Sequence, residues 1–164
     1  MNIQGSRTLD APRAAVFAAI LDPNVLLGVI PGCREIEKTG DAEYRGSISL
    51  RLPGVVGTYQ TVVRMVDAEE PCWGRLEGEV VGALGSIKGR VSFRLEEADG
   101  RTTVEYDGQA AIDGPLARLD TRFLEGLAGS LISQGLGNLD SRLQGGASAG
   151  VATDGRQVTK ETAG

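Results

Sequence analysis

Residues 87–96 read Ile87-Lys88-Gly89-Arg90-Val91-Ser92-Phe93-Arg94-Leu95-Glu96. Apolar or small residues hold the odd positions and mostly charged ones the even positions. That period of two is the mark of a strand with one dry face and one wet face. It recurs on both sides of this segment. Tyr44, Gly46, Ile48, Leu50 and Leu52 alternate with Arg45, Ser47, Ser49 and Arg51. Leu76, Gly78 and Val80 alternate with Arg75, Glu77 and Glu79, and Val104, Tyr106, Gly108, Ala110 and Ile112 with Thr103, Glu105, Asp107 and Gln109. A less regular run over 57–67 turns Tyr59, Thr61, Val63 and Met65 inward, and 2–9 and 33–39 read as weaker strands. Seven strands in an antiparallel meander are expected.

Three helical stretches interrupt or follow them. Asp10-Ala11-Pro12-Arg13 reads as a helix start, with Asp10 as N-cap and Pro12 in the first turn; Asp22-Pro23 opens a second short helix that ends before Pro31-Gly32. The last helix carries Leu116, Leu119, Phe123, Leu124, Leu127, Leu131, Ile132, Leu136, Leu139 and Leu143 at steps of three and four. It is the element large enough to cover the dry face of the sheet, so a curved sheet wrapped around a long helix is expected. The folded domain is read as 1–144, and the small, polar run 145–164 as a disordered tail.

Composition narrows the chemistry. The chain of 164 residues has no histidine, which removes Ser-His-Asp and Cys-His catalysis and histidine-ligated metals. Its 17 basic against 22 acidic residues give a net charge of −5, unsuited to a phosphate backbone without a strong basic patch, and no such patch is found. No nucleic-acid partner is expected. Cys33 and Cys72 stand far apart, form no CxxC, and read as lone buried thiols. Residues 1–10 contain Arg7 and Asp10 and no apolar run, so no signal peptide is expected and a cytoplasmic location is. Glu77 and Glu79 share the wet parity beside Arg75, as a solvated strand face does. Neither a dinucleotide nor a phosphate-loop motif is present. No catalytic residue, metal or cofactor is expected.

An ordered set of pieces points to a family. It comprises Gly5-Ser6, Leu9-Asp10-Ala11-Pro12, Val16-Phe17, Asp22-Pro23, Ile30-Pro31-Gly32-Cys33, Ile36-Glu37, Gly57-Thr58-Tyr59, Gly78, Gly82, Gly85, Gly89 and Gly114-Pro115-Leu116-Ala117. This set resembles the CoxG subunit of carbon monoxide dehydrogenase, over about Ile3 to Leu131. The resemblance implies an α+β helix-grip fold of the START-like (SRPBCC) superfamily. It also implies service to a molybdenum hydroxylase, binding of a quinone or lipid, and peripheral contact at the inner face of the cell membrane. Longer members of the family carry a C-terminal extension, whereas the tail here is short and polar. The superfamily also contains cyclases and hydratases; such an activity would need an inward acid or base, and parity supplies none.

A site follows from the same parity. Gly46, Gly78, Gly89 and Gly108 fall on the dry face, one in each regular strand. Either they leave room for a ligand between sheet and long helix, or they let the sheet bend and the helix approach. On the first reading, leucine at Gly89 or Gly108 would fill the space and leave the fold intact. The expected ligand-binding set is Tyr44, Ile48, Tyr59, Val63, Gly78, Gly89, Val91, Tyr106, Gly108, Phe123 and Leu127. The tyrosine hydroxyls would orient a carbonyl or quinone oxygen, or belong to plain core. Ser130 and Gln134 are further inward candidates, and Trp73 reads as a core plug. Turns alternate between the two ends of a meander. One end is charged (38–43, 67–71, 96–101); the other collects the apolar 25–31, 52–57, 81–85 and 114–116. Leu26, Leu27, Ile30, Val55, Val56, Leu84 and Leu116 there form either a cavity mouth, a contact surface, or loops folded into a core cap. Two functions follow: a non-catalytic carrier of a hydrophobic small molecule, or a recruitment factor docking the hydroxylase through its apolar end.

Overall fold

Each alternating run becomes a strand in the computed structural model, which describes residues 1–148. The strands are β1 (Asn2–Leu9), β2 (Cys33–Lys38), β3 (Glu43–Leu50), β4 (Gly57–Glu69), β5 (Trp73–Gly82), β6 (Gly85–Ala98) and β7 (Arg101–Asp113). They form one antiparallel sheet in the order β1-β7-β6-β5-β4-β3-β2. The edges are therefore β1 and β2, and the chain passes from one to the other through α1 (Arg13–Ile20) and α2 (Pro23–Val29). The long helix is α3 (Thr121–Ser148). This is the helix-grip architecture: an α+β fold with a seven-stranded sheet around a C-terminal helix and two short helices between the first two strands.

Two helix starts differ from expectation. Pro12, not Asp10, occupies the N-cap of α1; its extended backbone (φ −70°, ψ 153°) and its carbonyl, which accepts from Ala15 and Val16, begin the helix at Arg13. The Asp10 carboxylate instead faces Arg101 at 3.9 Å. α2 starts as read, with Asp22 accepting from the Asn24 N–H at 2.9 Å. The long helix begins later than its leucine pattern suggests. Leu116 lies in a separate 3₁₀ turn, Pro115–Arg118, and Leu119 is extended (φ −76°, ψ 153°). A 3₁₀ turn also repeats every three residues, so the leucine spacing runs across the break without revealing it. Asp120 then caps α3, accepting from the Arg122 N–H at 2.7 Å. The helix continues to Ser148, four residues past the boundary read at 144; the rest of the proposed tail lies outside the described residues.

The apolar residues divide into two cores. One gathers Leu9, Val16, Phe17, Val29, Phe93, Leu95, Val104 and Leu139, with Met65, Leu76 and Tyr106 against it. The other gathers Val55, Tyr59, Leu116 and Leu124, with Leu50, Val80, Leu84, Ile87 and Ile112 against it. Cys33 and Cys72 are free and half-buried. Trp73 is not a core plug. It shares the wet parity of Arg75, whose guanidinium stacks on its ring at 5.7 Å, and its Nε1 donates to Glu69 Oε1 at 3.1 Å.

Candidate functional site: an apolar cavity under the long helix

Between the two cores lies a cavity of about 400 Å³. Its floor is Ile48, Leu50, Tyr59, Val80 and Ile87 from the sheet; its roof is Leu124, Leu127, Ala128, Leu131, Ile132, Gly135, Leu136 and Leu139 from α3. Ile20, Leu26, Val29, Ile30 and Pro31 close one side, and Met1, Val55 and Leu116 another. No wall side chain is charged. The helix lies closest to β1 and α2, and over the middle strands it reaches the sheet through Leu124 and Leu139 at the two ends of the gap.

The structure brings together Ile48, Tyr59 and Leu127 from the expected ligand set, and Leu26, Ile30, Val55 and Leu116 from the expected mouth. It places the others elsewhere. Tyr44 is buried below α1, its hydroxyl donating to the Leu21 carbonyl at 2.7 Å. Val63 and Val91 are half-buried beside the glycines of neighbouring strands. Tyr106 packs on the first core with its ring over Gly5. Phe123 is 45% exposed, near Gly54 of the β3–β4 loop. Ser130 and Gln134 are exposed on α3. Leu27 and Val56 are exposed and Leu84 packs on the second core.

The glycines do not line this cavity. A Cβ at Gly89 would fall 2.6 Å from the Gln109 carbonyl oxygen, and at Gly108 it would fall 2.7 Å from that of Arg90. At Gly78 the nearest atom would be the Val62 oxygen at 3.0 Å. A Cβ at Gly46 would strike the Glu35 carbonyl. These side chains are missing because adjoining backbone occupies their places, which favours the bending reading. Gly78 and Gly89 are direct register partners, so the belt crosses the sheet between the two cores. Leucine at Gly89 or Gly108 would therefore disturb the sheet first.

The tyrosine hydroxyls are also committed. Tyr59, only 3% exposed, donates to the Val55 carbonyl at 2.8 Å and pins the β3–β4 loop. Burial raises its pKa above the ordinary phenol value; at Tyr44 burial and then the nearby Asp22 charge do the same. Thr61 Oγ1 is buried without a partner, but Thr61 is not a wall residue. Among the described residues no group of His, Cys, Asp or Glu could hold a metal ion. Glu77 is exposed on the outer face, where Glu79 joins it in a groove with Arg45, Arg64, Lys88 and Arg90.

Val55, Leu84 and Leu116 thus make a core cap, while Leu27, Leu52, Val56, Val81 and Phe123 stay exposed at that end. Leu50, Val80 and Ile87 stand outside the set expected from sequence, although they share the inward parity. Leu124, Leu131, Ile132, Leu136 and Leu139 were visible as the apolar stripe of the helix. Val29 and Pro31 lay in the apolar 25–31 stretch without being singled out, and Met1 and Ile20 are brought in by the path of the chain end and of the first short helix.

Comparison with known proteins agrees with this geometry. The family model for the CoxG subunit of carbon monoxide dehydrogenase matches residues 5–144. Among solved structures, a conserved protein from Geobacillus kaustophilus superposes with TM-score 0.84 at 25% identity, over 88% of this chain and 95% of that one. A START superfamily protein from Mycobacterium smegmatis gives 0.69 at 10% identity, over 87% and 97%. A protein from Thermus thermophilus gives 0.68 at 15%, over 90% and 99%. No curated protein matches the chain.

Proposed function

The chain belongs to the CoxG family of carbon monoxide dehydrogenase subunits, and from that premise we propose that it is a non-catalytic carrier of a hydrophobic small molecule, a quinone or lipid, serving a molybdenum hydroxylase. The observation that carries this reading is the cavity: about 400 Å³ bounded by apolar side chains, with its one tyrosine hydroxyl already bonded to backbone. Core packing rarely leaves such room. Every 100 Å² of that apolar wall taken out of water by an apolar occupant would contribute about 2.5 kcal/mol. No helix among the described residues is long and apolar enough to cross a membrane, and the family resemblance supports a peripheral contact in this reading.

A second reading rests on the exposed Leu27, Leu52, Val56, Val81 and Phe123, which suit a docking surface for the hydroxylase. One experiment separates the two. The protein is purified gently, examined by native mass spectrometry and extracted with organic solvent; the stripped protein is then offered quinone and fatty acid. A co-purifying apolar molecule, or saturable uptake that raises the melting temperature, is expected. A protein that carries nothing and takes up neither compound is not a carrier. Loss of hydroxylase association in Val56→Asp with uptake retained would favour docking. Val55, buried next to Val56, is unsuitable for that test because charging it would break the second core.

A further inference from the structure

Resting on the carrier reading, we infer that the cavity takes a hydrocarbon segment of about a dozen carbons and leaves the polar head of its ligand outside. Two observations lead there. At roughly 30 Å³ for each water-sized group, 400 Å³ holds about thirteen non-hydrogen atoms. A long polyprenyl or acyl chain exceeds that, so only part of it is enclosed. The walls also offer a head group nothing to bond. The hydroxyl of Tyr59 is spent on Val55, the terminal ammonium of Met1 donates to the Ala110 carbonyl at 3.1 Å, and the remaining wall side chains are apolar. A quinone carbonyl, carboxylate or phosphate drawn inside would lose its water and gain no partner.

Binding should therefore count methylenes and ignore the head. The stripped protein is titrated calorimetrically with n-alkyl carboxylates of eight to sixteen carbons and with n-alkyltrimethylammonium ions of the same lengths, each below its micelle concentration. Affinity is expected to rise about fourfold per added methylene and to level off near a dozen carbons in both series. Ala128→Leu adds three carbon atoms to the roof, and Leu131→Ala removes three. The first should move the levelling point about three carbons shorter and the second about three longer, so either variant alone suffices if the other fails to fold. Affinity that follows head charge rather than length overturns the inference. So does a levelling point that neither variant moves. Absence of binding across both series would defeat the carrier reading itself, and this inference with it.

Discussion

Gly89→Ala separates the two roles a glycine on an inner sheet face can have. If Gly89 leaves room for a ligand, a methyl group should be tolerated by the fold and felt only by the cargo. The structure argues the opposite. The added Cβ would fall 2.6 Å from the Gln109 carbonyl oxygen and 3.0 Å from the Cβ of Ala110, atoms fixed by the β6–β7 pairing. Neither can rotate away, so the strands must part locally. Overpacking of that kind costs about 1–3 kcal/mol, and at about 2–4 °C per kcal/mol for a domain of this size, a fall of roughly 6 °C is expected. Gly126→Ala is the control. Apart from the helix's own backbone, a Cβ added there meets no heavy atom within 4 Å, and the variant should gain about 1 kcal/mol from helix propensity. Urea unfolding and ligand stoichiometry are measured on both. Gly89→Ala should unfold early and, where folded, still bind one equivalent. A variant as stable as the parent but with reduced uptake would show that Gly89 holds cavity space.

The hydroxyl of Tyr59 gives a second test. Tyr59→Phe removes the 2.8 Å bond to Val55 and leaves a buried carbonyl unpaired, at a cost of about 1–3 kcal/mol. Affinity for alkyl chains should stay within about twofold; unchanged stability with a tenfold loss of affinity would make the hydroxyl a ligand contact. A third concerns alkaline pH. The folded pKa values of Tyr44 and Tyr59 lie above the unfolded value of about 10, so the neutral forms are favoured in the fold. Their contribution is complete below that value and is lost as pH rises through the folded pKa. The urea midpoint should fall above pH 10, and less steeply in Tyr44→Phe; equal slopes would refute the assignment.

The fold was legible because the alternation is unusually regular. In β6, ten successive residues keep parity, so one face could be assigned without knowing its neighbours. The site was legible only where the same parity or the helical stripe pointed at it, as for Ile48, Tyr59 and Leu127. Parity reports direction, however, not what lies in that direction. Gly78 and Gly89 point inward, and still a Cβ there would meet the carbonyl oxygens of Val62 and Gln109 on the neighbouring strands. Tyr44 and Tyr59 point inward too, but the carbonyls of Leu21 and Val55 reach their hydroxyls first. Those acceptors come from a helix end and a loop, whose positions no local pattern encodes. The 3₁₀ turn at Pro115 was hidden for another reason: its period is too close to that of the helix it precedes.

The cavity itself follows from where α3 is anchored. Hydrogen bonds tie the helix to β1 and the residue after it: Asn2 N–H to Glu125 Oε2 at 2.7 Å, Arg7 to the Ser133 carbonyl at 3.3 Å and to its Oγ at 3.5 Å, and Asp10 N–H to Asp140 Oδ1 at 2.9 Å. Partners at 125, 133 and 140 are about two turns apart, so they lie along one flank of the helix. That flank belongs to β1. The far side of the helix meets α2, where Asn138 donates to the Val29 carbonyl at 2.9 Å, and α2 in turn packs on β2. The helix is therefore braced against one sheet edge directly and against the other through α2. At either end of the cavity a core closes the space, with Leu124 in one and Leu139 in the other. Over the stretch between those two leucines neither edge can draw the helix down onto the middle strands, so the side chains of Leu127, Leu131 and Leu136 extend toward the floor without filling the space above it.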